Sequence, residues 1–292
     1  MKLLDPYERP VSNLRVSVTP DCNLSCIYCH REGEHNPKDL LSAEEIANVL
    51  ETAARFDIRS VKFTGGEPLL RRDLADIIRS VPASMESSMT TNGVLLADKA
   101  EELREAGLAR VNVSIDSLNP ETYEKITGSD RLPDVLEGIE VALDAGLTPI
   151  KLNMVILKGV NDHEVEDFFR FIRDNRNLIL QVIELMNVGG CDCHSDLTAF
   201  EADLAERSKV IYTRRMHHRK KYCLDGAEIE VVRPLHNTEF CQFCNRLRLT
   251  SDGHLKPCLL RSDNHVDIRG KKGPDLENAF LEAVKRRAPF YR

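Results

Sequence analysis

Strand-like and helix-like segments alternate along the first two thirds of this chain, and that alternation limits the fold more than any other feature. Residues 14–19 read as a strand. Residues 42–56 read as an amphipathic helix, with Ser42 as N-cap and Glu45 completing a capping box. Strands at 61–64, 87–91, 110–115 and 150–156 each lead into helical segments, at 72–80, 97–106, 121–125 with 133–145, and 162–174. A last strand is expected at 179–185. Such a series of βα units predicts a parallel sheet with helices outside.

The strands carry a second message. Buried parallel strands are usually near-continuous apolar runs, but these alternate. Leu14, Val16, Val18, Val61, Phe63, Val111, Val113, Ile115, Ile150, Leu152 and Met154 share one face. Arg15, Ser17, Thr19, Ser60, Lys62, Thr64, Ser88, Thr90, Asn112, Ser114, Asp116, Lys151, Asn153 and Gln181 share the other. If helices cover the apolar face, the polar face lines the concave side. A closed eight-stranded barrel fills that space with Val, Ile and Leu. A polar lining therefore predicts an α/β fold of the incomplete (β/α)6 TIM type, wide enough for a polar ligand. Arg15, Lys62 and Lys151 outnumber Asp116 there, which makes the ligand anionic. An antiparallel sheet with one wet face would alternate in the same way, but the intervening helices count against it.

The pattern changes near residue 187. Residues 187–198 read as a loop, followed by a basic stretch at 214–221 and short strands around 228–232. Residues 246–250 and 254–257 flank Ser251-Asp252-Gly253, a hairpin signal, and a final helix is expected at 275–287. We expect two units: residues 1–186 as the partial barrel, and 187–292 as an α+β extension packed on it.

Composition removes several functions. The formal net charge is −7 with no long basic run, which excludes nucleic acid or an anionic membrane as the main partner. No stretch approaches the ~20 apolar residues of a membrane span, and residues 1–10 lack a signal-peptide core. A cytoplasmic protein is expected. Its nine cysteines then read as thiolate ligands, because the cytosol keeps thiols reduced.

Cys22, Cys26 and Cys29 form C-x3-C-x2-C in the loop after the first strand, where βα barrels place catalytic groups. Close spacing lets one loop give three thiolates to three irons of a cubane, leaving a fourth iron open. Zinc is the competing metal, although structural zinc wants four ligands, and His30 is poorly placed to be the fourth. Cys241, Cys244 and Cys258 form C-x2-C-x13-C, with Arg246 and Arg248 close behind. This set reads either as a zinc knuckle completed by Cys223 or His254, or as a second three-cysteine cluster facing the first.

The first set, with Tyr28 before its third cysteine, resembles the signature of the radical S-adenosylmethionine (SAM) superfamily. Gly65-Gly66-Glu67-Pro68 after the second strand resembles that superfamily's SAM-binding turn. Across nearly the whole chain, segments such as FTGGEPLLRRDL, ARVNVSIDSLNPETY and FCQFCNRLRLTSDGHLKPCLL resemble the GTP 3′,8-cyclase (MoaA) family of molybdenum cofactor biosynthesis. The resemblance implies two 4Fe-4S clusters. One, on Cys22, Cys26 and Cys29, would cleave SAM. The other, on Cys241, Cys244 and Cys258 in the extension, would hold the guanine edge. Tyr28, Gly66, Glu67, Thr90, Ser114 and Met186 would line the SAM pocket. Arg15, Lys151, Arg246 and Arg248 would hold GTP, with Lys62 a further basic candidate. Hydrogen abstraction at C3′ followed by attack on C8 would give 3′,8-cyclo-7,8-dihydro-GTP. An electron donor and a downstream enzyme forming cyclic pyranopterin are implied partners, and the chain would act as a monomer or homodimer.

The chain departs from that family in three places. Ser60 and Gln181 stand where bacterial relatives commonly carry bases, and the chain ends Phe290-Tyr291-Arg292 in place of a Gly-Gly tail. Cys191, Cys193 and His194 match no family role, and Cys223 reads as a small apolar residue or a spare thiol. The competing functions are another radical SAM enzyme with an auxiliary cluster, and a non-enzymatic zinc or iron–sulfur protein that binds or transfers electrons.

Overall fold

The computed structural model describes residues 2–31, 39–186, 192–235 and 238–290. Its first part runs β1 (Asn13–Ser17), α1 (Ala43–Arg55), β2 (Ser60–Thr64), α2 (Leu74–Arg79), β3 (Glu86–Thr91) and α3 (Leu96–Glu105). It continues through β4 (Arg110–Ser114), α4 (Pro120–Thr127), α5 (Leu132–Asp144), β5 (Ile150–Ile156), α6 (Val165–Ile172) and β6 (Leu178–Glu184). Local chemistry sets the helix ends. Ser42 accepts from the Glu45 amide while the Glu45 side chain accepts from the Ser42 amide. Asn119 caps α4 ahead of Pro120, and Gly128 ends that helix in the left-handed conformation.

The second part holds α7 (Thr198–Arg207), β7 (Val210–Thr213), β8 (Lys220–Leu224), β9 (Ala227–Val232) and α8 (Thr238–Gln242). It closes with β10 (Arg246–Leu249), β11 (His254–Lys256), β12 (Val266–Asp267) and α9 (Gly273–Lys285). All these strands join one sheet, in the order β12-β11-β10-β1-β2-β3-β4-β5-β6-β9-β8-β7. β1 to β6 pair in parallel, and β10 and β9 extend the parallel array beyond β1 and β6. Residues 179–185, expected as the last strand of the barrel, fall in β6, and 228–232, expected as a short strand of the extension, form β9 beside it. The parallel array continues into β9, whose Ile229 and Val231 are buried like their counterparts in β6. No strand–helix–strand rhythm announces β9 in the sequence, because a helix and an antiparallel hairpin intervene. The sheet is open, with β12 and β7 at its two ends.

The two faces divide as their alternation predicts. Leu14, Val16, Val18, Val61, Phe63, Val111, Val113, Ile115, Ile150, Leu152 and Met154 are fully buried in the main core. Each such side chain contributes roughly 1.5–3 kcal/mol of burial. The opposite face borders a cavity of about 980 Å³.

Candidate active site

Two backbone loops meet at the end of β1 and β2. Gly66 donates its amide to Thr19 O at 2.8 Å, and Glu67 donates to Asp21 O at 2.6 Å. A Cβ on Gly66 would stand 2.2 Å from Asp21 O, and one on Gly65 2.3 Å from Thr19 O. Only glycine lets this turn lie against the loop that carries Cys22, Cys26 and Cys29. That loop is held from its other side by Ser25 N to Thr127 O and Ile27 N to Ile126 O, at the end of α4.

Glu67 is fully buried. Its carboxylate accepts from Leu69 N (3.0 Å), Thr91 Oγ1 (2.7 Å) and Asn92 N (2.6 Å). Burial pushes its pKa up to about 7 despite those donors. The side chain thus ties the turn after β2 to the turn after β3. Asn92 in turn reaches Cys22 Sγ at 3.9 Å and Asn23 Oδ1 at 2.7 Å. Tyr28 donates to Asp116 Oδ2 at 2.6 Å, and Asp116 accepts from Val155 N at 2.8 Å. Burial raises Asp116 to about 6.

The three cysteines of this loop are free thiols, Cys22 and Cys29 exposed and Cys26 half-buried. Cys241, Cys244 and Cys258 likewise form no disulfide, and all three line the cavity. Among the described residues no three Cys, His, Asp or Glu side chains converge on a single-ion site. Cys223 and His254 complete no zinc site with the second set. Cys223 lies in β8 opposite Val210 and Glu228, and His254 meets Asp252 at 3.1 Å.

The cavity wall is cationic. Arg15 lies opposite Lys62 on β2 and opposite Arg248 on β10, so three bases occupy adjacent strands in one row. Like charges side by side in a sheet are destabilising. Removal from water, then the fields of Arg15, Arg246 and Lys151, push the Lys62 ammonium well below its ordinary range. Lys62 donates to Asn112 Oδ1 at 2.6 Å. Lys151 is lowered to about 8 by burial, although Glu230 opposes the shift. Glu230 is fully buried. Burial alone would raise it, but Lys151, Arg219 and Arg214 hold it down to about 2. An anionic ligand would relieve this wall.

Arg15, Lys62, Lys151, Arg246 and Arg248 all line the cavity, as do Tyr28 and Met186. Gly66, Glu67, Thr90 and Ser114 do not line it. They belong to the ends and following turns of β2, β3 and β4, and Gly66 and Glu67 lie against the first cysteine loop. Thr90 Oγ1 is buried there without a hydrogen-bond partner, and is thus available to a ligand. Ser60 accepts from Asn13 Nδ2 at 2.9 Å, and Gln181 accepts from Arg219 at 3.2 Å. His194 meets Glu184 at 3.5 Å, and Cys193 packs on Ile126, Leu157 and Leu185. Cys191, Tyr291 and Arg292 lie outside the described residues.

Sequence reasoning missed a second group. Arg9 donates to Cys241 O (2.9 Å), Pro289 O (2.8 Å) and Ala288 O (2.5 Å), and pairs with Asp5 at 2.6 Å. Arg287 donates to Cys244 O at 2.5 Å and meets the same Asp5 at 3.1 Å. Segments from the two ends of the chain thus clasp the second cysteine loop. No spacing in the sequence links residues so far apart. Arg214, Arg219 and Glu230 were also missed, although the basic stretch at 214–221 was visible.

Comparison with known proteins agrees with this geometry. Residues 16–172 match the Radical SAM superfamily, and residues 178–292 match the family described as Molybdenum Cofactor Synthesis C. A protein of Methanosarcina acetivorans named probable GTP 3′,8-cyclase is 50% identical over 99% of this chain and 90% of its own. One of the same name from Archaeoglobus fulgidus is 48% identical over 99% of both. Among solved structures, Streptococcus suis SuiB bound to S-adenosylmethionine superposes with a TM-score of 0.70 at 13% identity, over 94% of this chain and 69% of that one. Native anSMEcpe with bound AdoMet gives 0.63 at 16% identity, over 92% and 82%. At such identities these two likenesses show the open α/β fold alone.

Proposed function

The chain belongs to the radical SAM superfamily and, within it, to the GTP 3′,8-cyclase family, and we propose on that premise how its residues divide the work. The reaction converts GTP to (8S)-3′,8-cyclo-7,8-dihydroguanosine 5′-triphosphate as SAM is cleaved to 5′-deoxyadenosine and methionine, the first step of molybdenum cofactor biosynthesis. A cluster on Cys22, Cys26 and Cys29, when bound, supplies the electron that cleaves SAM. Residues 1–186 serve as the radical SAM unit and 187–292 as the extension, a division that the limits of the two family matches support.

In this reading Glu67 acts through the backbone. It fixes the turn against which SAM rests, and it holds Asn92 beside Cys22. Thr90 and Ser114 offer hydroxyls to SAM, while Tyr28 and Met186, which line the cavity, complete its pocket. Arg15, Lys62, Lys151, Arg246 and Arg248 bind the triphosphate and nucleotide. Cys241, Cys244 and Cys258 hold a second cluster that faces the base. The row of like charges from Arg248 through Arg15 to Lys62 is the observation that carries the polyanion assignment. No helix among the described residues is long and apolar enough to cross a membrane, and we place the enzyme in the cytoplasm. There an electron donor and the enzyme forming cyclic pyranopterin serve it.

Iron and sulfide analysis tests the cofactor part. About eight irons per chain, falling by half in Cys241→Ser, supports two clusters, whereas zinc without sulfide refutes them. Anaerobic SAM cleavage with GTP, ATP or peptide tests the substrate. Cleavage accelerated by GTP alone supports the reading, and cleavage indifferent to GTP favours a different radical SAM enzyme.

A further inference from the structure

The basic stretch 214–221 has no part in the reading above, yet it enters the same cavity. Glu230 is the anion around which it gathers. The carboxylate oxygen Oε1 takes Lys151 Nζ and Arg214 Nη1, at 2.5 and 2.6 Å. Its other oxygen lies 3.6 Å from Arg219 Nη1, too far for a hydrogen bond, and is buried without a partner. Arg219 donates once, to Gln181 at 3.2 Å. Its Nε is buried without a hydrogen-bond partner, in a side chain only 11% exposed. Three cations therefore surround one carboxylate, and Arg219 is the one whose donors Glu230 leaves unused.

The backbone that delivers Arg219 is held in an uncommon conformation. His217 and His218 are successive residues with positive φ, at 60° and 47°. Their rings stack on Phe240 and Phe243, with centroids 3.7 and 3.3 Å apart. His217 N donates to Phe243 O at 3.0 Å, and Arg214 N donates to Arg219 O at 2.8 Å. Phe240 and Phe243 flank Cys241. The turn is thus fastened to the second cysteine loop at one end and presents Arg219 beside Lys151 at the other. Such strain persists where the surrounding structure demands it, commonly at ligand sites.

We propose that Arg219, supported by Arg214 and Lys151, binds the terminal phosphate of the substrate, with Glu230 as the internal anion that positions the three cations. The inference rests on the assignment of GTP as substrate. A planar guanidinium with unused donors suits a phosphate better than a second bond to a carboxylate already shared. The turn's attachment to the cysteine loop then sets the distance between the site for the base and the site for the last phosphate. This arrangement also gives Gln181 a role, as the neutral neighbour that orients Arg219.

Equilibrium binding of GTP and GMP to the anaerobic, reconstituted protein without SAM tests this. Wild type should bind GTP more tightly than GMP. Arg219→Gln should weaken GTP roughly ten- to a hundred-fold, as expected for charge-assisted hydrogen bonds, and leave GMP within about twofold. Arg219→Lys should fall between, and Arg214→Gln should show a smaller loss with the same dependence on phosphate number. Unchanged GTP binding, or equal losses for GTP and GMP, would show a merely structural ion pair and overturn the proposal. A wild type that does not distinguish GTP from GMP would overturn the underlying assignment of GTP instead.

Discussion

Gly66→Ala is a substitution of one methyl group whose effect can be worked out from the structure. The new Cβ would lie 2.2 Å from Asp21 O and 2.5 Å from both Asp21 C and Pro20 O. All three are backbone atoms, so no side chain can swing aside. Ordinary contact requires the two loops to part by about 1 Å. That movement strains two backbone hydrogen bonds, Gly66 N to Thr19 O at 2.8 Å and Glu67 N to Asp21 O at 2.6 Å. Overpacking together with loss of those bonds costs roughly 2–6 kcal/mol. This is a large part of the ~5–15 kcal/mol that holds a typical domain together. The displaced segment leads directly into Cys22, so the first cluster should be lost before the second. We expect iron content to fall by about half, SAM cleavage to be abolished, and the second cluster's signal to remain in electron paramagnetic resonance. Gly159→Asn is the control, because an added Cβ there meets nothing within 4 Å and Asn tolerates a left-handed backbone. A Gly66→Ala protein with wild-type iron content and wild-type melting temperature would refute the reasoning.

Arg9→Met should release the second cysteine loop, leaving Asp5 paired with Arg287 alone. Breaking such a buried pair costs about 3–5 kcal/mol, and iron analysis should show loss confined to the second cluster. Tyr28→Phe removes the 2.6 Å hydrogen bond to Asp116. It should lower stability by roughly 1–2 kcal/mol while the cysteines still retain iron, as thermal melts with parallel iron analysis would show. Glu67 predicts a pH dependence of definite sign. Its folded pKa of about 7 exceeds the ordinary 4.5, so the folded state binds the proton more tightly. Its contribution is most favourable below pH 4.5, and stability should decline by about 3 kcal/mol as pH rises to 7. Denaturant titrations across that range should show the decline in wild type and its loss in Glu67→Gln.

Much of the fold could be read from the sequence because two simple periodicities coincide. Ser42 and Glu45 mark the start of a helix, and the alternation Leu14-Arg15-Val16 assigns one side chain to the core and the next to the cavity. Parallel strands related by helices then bring Arg15, Lys62 and Lys151 to one surface without further information. Glu67 shows where such reading stops. Its place after a strand is visible, and Leu69 N is a local donor, but Thr91 and Asn92, at the end of β3 and just beyond it, reach its carboxylate only when the chain is folded. β9 and β10 were legible as strands, but their partners were not, since they pair with β6 and β1 across long stretches of sequence. The grasp of Arg9 on Cys241 O spans 232 residues and leaves no local pattern. Non-local hydrogen bonds carry no period, so they appear only when the chain is folded.

The central claim joins a SAM-cleaving cysteine loop to a cavity that holds GTP, and isotope transfer tests that junction most directly. Reduced, reconstituted protein would be given SAM and GTP deuterated at C3′, without oxygen, and the products analysed by mass. The account predicts 5′-deoxyadenosine carrying one deuterium, together with the 3′,8-cyclised nucleotide. Deuterium-free 5′-deoxyadenosine formed at the same rate with and without GTP would contradict it.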